Sequence, residues 1–174
     1  MGDLTRGESA GIRAGLLIST AVAAVMVHLV FARAAAPKTE PAGEKAPTYL
    51  SPIAMVADSA GKTIYIAEAT AGQVAVFDVA TRKVTANIAV GPPVSGVAIS
   101  TDRTKLYITA GAAKGHLCIV DIKSKKVLAR IPVGHTPMSP VVTRNGDTVY
   151  VCNRFDNTIG VVDIAEGRLA NTIG

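Results

Sequence analysis

The chain has 174 residues, with 18 Lys or Arg against 13 Asp or Glu, for a formal charge of +5 when its three His are neutral. Apolar residues make up 49% and charged ones 18%, a balance that can bury a core and excludes an intrinsically disordered protein. Aromatics are 4% and Trp is absent, with no basic cluster denser than Lys123, Lys125 and Lys126, so nucleic-acid binding is not expected. The two Cys are too few for a disulfide framework or a four-thiolate metal site.

Residues 1–36 read as a targeting segment. Arg6 and Arg13 precede an uncharged apolar run from Ala14 to Phe31, and small residues at Ala32 and Ala34 suit cleavage after Ala34. The alternative is an uncleaved anchor, since an 18-residue helix at about 1.5 Å per residue spans roughly 27 Å. A hydrophobic helix is therefore expected here, and either outcome exports the remainder to the periplasm or cell surface, with membrane contact confined to residues 14–31. His28 within the run is read as incidental. Residues 37–50 follow as a Pro-rich linker, opening on Pro37-Lys38-Thr39-Glu40-Pro41.

From Ser51 onward the chain repeats itself, and a period in this range marks an array or propeller. Tyr65, Tyr107 and Tyr150 recur at spacings of 42 and 43, and Asp78, Asp121 and Asp163 at 43 and 42. Each copy reads as four short strands, because apolar runs of four to six residues alternate with turn residues and no 3.6-residue period appears. In the second copy these are Gly96–Ser100, Lys105–Thr109, His116–Asp121 and Val127–Ile131. Ser59-Ala60-Gly61-Lys62, Thr101-Asp102-Arg103-Thr104 and Arg144-Asn145-Gly146-Asp147 supply the reversals between first and second strands. Connectors with Gly91 and Gly134 separate the copies.

The expected fold is all-β: a partial β-propeller of about three four-stranded antiparallel blades, at about 51–91, 94–134 and 137–174, the last one truncated. The repeats resemble the YVTN family of propeller proteins. Tyr150-Val151-Cys152-Asn153 departs from that tetrapeptide only at Cys152, and Val161-Val162-Asp163 and Val133-Gly134-His135-Thr136-Pro137 are similar to later blade motifs. Closed rings take four to eight blades, so the reading is the N-terminal part of a longer protein, with self-association of short chains as the alternative.

Positions that recur in every copy are most simply explained by the recurring architecture. On that rule Tyr65, Tyr107 and Tyr150 are packing residues, Asp78, Asp121 and Asp163 are turn formers, and Gly91 and Gly134 belong to connectors. Cys118 and Cys152 fill positions held by small residues elsewhere, which makes them buried packing thiols. The residues that do not recur are the candidates for a binding face built from loops: Glu68, Lys114, His116, His135, Asn153, Arg154 and Asp156, with Phe155 and Met138 beside them.

No catalytic residues and no metal ligands are assigned, because no nucleophile, haem-attachment, phosphate-loop or dinucleotide motif is present, and no cofactor is expected. The leading expectation is an exported, non-catalytic binding module of the cell envelope, whose partner is a protein, glycan or small ligand. The resemblance implies alternatives: the propeller of a periplasmic, cytochrome c-linked oxidoreductase, a lactonase-like enzyme, or a surface-layer-type structural protein.

Overall fold

The computed structural model describes residues 49–174. The expected N-terminal helix, its cleavage point and residues 37–48 of the linker lie outside the described residues. Tyr49 and Leu50 are exposed and irregular.

Twelve strands follow in chain order and form three antiparallel four-stranded sheets. The first sheet contains β1 (Pro52–Ala57), β2 (Thr63–Glu68), β3 (Gln73–Asp78) and β4 (Lys83–Ala89). The second contains β5 (Val94–Ile99), β6 (Lys105–Ala110), β7 (Gly115–Asp121) and β8 (Lys126–Gly134). The third contains β9 (Pro137–Val142), β10 (Thr148–Asn153), β11 (Thr158–Asp163) and β12 (Arg168–Ile173). Neighbouring strands in each sheet are consecutive in sequence, so each is a simple meander joined by short turns. Among the described residues there is no helix long and apolar enough to cross a membrane.

The alternation of side chains along a strand sends successive residues to opposite faces, and here both faces of the second sheet are used. One packs Leu106, Ile108, Cys118 and Val120 against Tyr65, Ala67, Val74 and Val76 of the first sheet. The other packs Tyr107, Leu117 and Ile119 against Val149, Val151 and Val162 of the third. Burying each large aliphatic side chain contributes about 1.5–3 kcal/mol, and these two layers hold the sheets face to face.

Turn chemistry is local. Asp78, Asp121 and Asp163 each accept the backbone N–H three residues on, from Thr81, Ser124 and Glu166, at 2.7, 2.6 and 2.9 Å. The Thr81 hydroxyl and N–H hold the Asp78 carboxyl below its ordinary range, and the Ser124 hydroxyl and N–H do the same for Asp121. Four residues after each Asp the backbone turns left-handed, at Arg82 (φ 56°), Lys125 (φ 58°) and Gly167 (φ 63°). Only glycine adopts that conformation without steric cost.

Two residues depart from the sequence expectation. Tyr107 is 2% exposed while Tyr150 is 39% exposed, although they occupy the same register position. Cys152 is likewise exposed, where Cys118 is buried, and both thiols are free. The reason is shared: Tyr150 and Cys152 lie on the face of the third sheet that no other described sheet covers.

Candidate functional site

The loops at one end of the sheets are stitched to the connectors between them. Thr136 N–H donates to the Ala112 carbonyl at 2.8 Å, Arg154 N–H to the Thr136 carbonyl at 3.2 Å, and Gly91 N–H to the Gly72 carbonyl at 2.8 Å. A β-carbon on Gly115 would lie 2.0 Å from Pro137 Cδ, so glycine is what lets the start of β7 meet the connector. The same holds for Gly134, whose added β-carbon would fall 2.5 Å from Asn153 Cγ and 2.6 Å from Asp156 Oδ2.

Between the second and third sheets these loops leave a cleft of about 590 Å³. Of the seven candidate residues it gathers Lys114, His116, His135 and Asp156, with Arg130 and Leu169 completing the walls. Arg130 Nη1 donates to the Val90 carbonyl at 2.6 Å, meets His116 Nε2 at 2.9 Å and reaches Cys118 Sγ at 3.2 Å. A guanidinium can only donate, so His116 Nε2 is the acceptor and its Nδ1 carries the proton. Burial, and then the Arg130 charge, push the His116 pKa down, so the ring is neutral at pH 7. Burial pushes the Cys118 thiol up against the opposing pull of Arg130, which keeps it protonated.

The opposite wall is an ordered connector. Asp156 Oδ2 accepts the His135 N–H at 2.7 Å, and His135 Nδ1 lies 2.9 Å from Thr136 Oγ1. The His135 ring meets Phe155 edge to face at 5.0 Å between centroids, and the Arg154 guanidinium carbon sits 5.2 Å from the centre of the same ring.

Asn153, Glu68 and Arg154 do not line the cleft. Asn153 ends β10 beneath Gly134, 1% exposed, and its Nδ2 donates to the Val133 carbonyl at 3.1 Å and to Thr158 Oγ1 at 3.2 Å. Its Oδ1 is buried and meets no donor among the described residues. Glu68 holds the matching place at the end of β2 and accepts from Gln73 Nε2 at 2.6 Å. At that rung the first and third sheets each keep a polar pair, whereas the second has Ala110 opposite His116, which turns instead to Arg130.

Among the cleft residues absent from the sequence candidates, Arg130 is the charged one. Its signal was present: it pairs with Cys118 in the register where Asn87 pairs with Ala75 and Thr172 with Gly160. Its counterparts Asn87 and Thr172 are neutral, so the exception is a charge within an outer strand. Among the described residues, no group of three or more His, Cys, Asp or Glu is close enough to hold a metal ion.

No family model and no curated protein matches the chain. Solved structures do. Hydrazine synthase from Kuenenia stuttgartiensis is similar over 76% of this chain and 38% of its own, at 24% identity and a TM-score of 0.66. A putative 6-phosphogluconolactonase from Bacteroides fragilis is similar over 67% of this chain and 36% of its own, at 21% identity and a TM-score of 0.58. The chain therefore spans well under half the length of either. At such identities the likeness is one of architecture, and it shows that the three stacked sheets form a propeller-like fold.

Proposed function

We propose that this chain is an exported, non-catalytic propeller module of the YVTN type that binds a ligand at the cleft between its second and third sheets. The observation that carries the reading is the presence of Arg130, Lys114 and His116 together in the lining of that cleft. An ammonium and a guanidinium beside a neutral imidazole suit a ligand bearing a carboxylate, phosphate or sulfate, whether free or on a glycan or protein. The non-catalytic part rests on how the reactive types are engaged. The Asp156 carboxylate holds a backbone N–H, His116 holds Arg130, and Cys118 is a buried protonated thiol.

Export through residues 1–36 to the periplasm or cell surface belongs to the same proposal and rests on the charged, then apolar, then small-residue order of that segment. The test of the cleft is titration with inorganic phosphate and with succinate, followed through the His116 ring signals. Saturable shifts that disappear in Arg130→Gln support the reading. Absence of any shift at millimolar ligand, or shifts unchanged in Arg130→Gln, would overturn it.

A second reading is favoured by the fold neighbours, both of which carry enzyme titles. In it the chain is the propeller portion of a lactonase-like enzyme or of a periplasmic oxidoreductase. Hydrolysis of a sugar lactone by the purified chain, lost on changing Asp156 to Asn, would favour that reading over plain binding.

A further inference from the structure

Both sheet-to-sheet joints among the described residues are made by unlike faces. The first sheet presents Tyr65, Val74 and Val76, and the second receives them on Leu106, Ile108 and Val120. The second in turn presents Tyr107, Leu117 and Ile119, and the third receives them on Val149, Val151 and Val162. Strand register identifies the presenting face of the third sheet. Tyr150 pairs with Val161 as Tyr107 pairs with Ile119, and Ile159 pairs with Ile173 as Leu117 pairs with Ile131.

On that face Val141, Tyr150, Ile159 and Ile173 are 60%, 39%, 40% and 49% exposed. The first sheet has the converse. Met55 pairs with Ile66 as Val97 pairs with Ile108, and Val84 with Phe77 as Val127 with Val120. These belong to the receiving face, where Met55 is 66% and Val84 52% exposed. The residues named on the two faces are all apolar or uncharged, which fits burial rather than solvation.

We propose that the third-sheet face of one copy of this chain packs on the first-sheet face of another, repeating the joint that the molecule already makes twice within itself. The argument for a second copy as occupant is that equivalence: each face is the register counterpart of one that this sequence demonstrably buries against the other kind. Contact between unlike surfaces is heterologous, so it closes into a ring or grows as a chain, and each copy has one donor and one acceptor face.

The test is the mass of the full 174-residue chain in non-ionic detergent, by size exclusion with light scattering. The wild type is expected to exceed one chain. Ile159→Arg blocks one face and Met55→Arg the other, and each variant alone is expected to fall to one chain. An equimolar mixture of the two keeps one intact pair of faces and is expected to recover a two-chain species. Val141→Arg and Val84→Arg repeat the experiment at a second position of each face, and an unchanged strand signal in circular dichroism checks folding. A wild type of single-chain mass overturns the proposal. So does assembly that survives either substitution, which assigns it to like faces or to residues 14–31, and so does a mixture that fails to recover the pair.

Discussion

The second and third sheets share a register and a turn pattern, yet they differ in what their faces meet. The second is covered on both sides and the third on one among the described residues, so identical positions have opposite environments: Leu117 is 0% exposed and Ile159 40%. What this teaches is that the repeat encodes a two-sided sheet, and burial is conferred by the neighbour. A residue's type in one copy therefore reports the average environment of all copies, and its energetic weight must be read from the assembled stack.

The widest gap should appear on truncating that matched pair. Leu117→Ala opens a cavity in a closed layer and is expected to cost about 2–5 kcal/mol in urea denaturation, while Ile159→Ala, measured in a Met55→Arg background that leaves its face open, costs about 1 kcal/mol or less. Equal losses at the two sites would break the comparison, and would show that Ile159 is covered in solution.

A smaller effect separates the first turns of the two sheets. Asp102 has the Ser100 hydroxyl at 2.6 Å, with the Thr104 N–H and hydroxyl beside it, and these lower its carboxyl to about 2. The folded value lies below the unfolded one, so the stabilisation is complete above about pH 4 and is lost as pH falls towards 2. The third sheet has neutral Asn145 at the matching place. Melting temperature followed from pH 6 to pH 2 should fall less steeply in Asp102→Asn, and an unchanged acid slope would refute the assignment.

The smallest concerns the left-handed position of the last turn, glycine in the third sheet and Lys125 in the second. Lys125→Gly relieves the steric cost of φ 58° but loosens the unfolded chain, for a net gain of about 0.5 kcal/mol. A loss of stability by thermal melting would show that the lysine side chain contributes more than its backbone costs.

Much of the fold was legible because its determinants are local. Runs such as Leu106-Tyr107-Ile108-Thr109 alternate across a strand, and Asn145-Gly146 can only turn, so the four-strand rhythm is written within each copy. In the second copy the expected strands fall inside the observed ones except at Ser100, one residue past β5. What the sequence could not convey is long-range. Asn153 looked like a loop residue, but the connector folds over it and buries it to 1% exposure. Arg130 gains its partner only when the stack brings the Val90 carbonyl, 40 residues away, to within 2.6 Å of it. The cleft is likewise a product of two loops and a connector meeting, and no window of the sequence contains it.

The irregularities of pairing recur as faithfully as the strands. In each sheet the third and fourth strands slip register at a matching point, between Val76 and Phe77, Ile119 and Val120, and Val161 and Val162, and the second sheet slips again between Gly115 and His116. A bulge of this kind sets local twist, so the shared bulge turns the three sheets alike at that point. They are thus interchangeable parts. A duplication or deletion of one whole unit of the gene would leave every remaining joint of the same kind, which gives such a molecule a route to change its size without redesigning its interior.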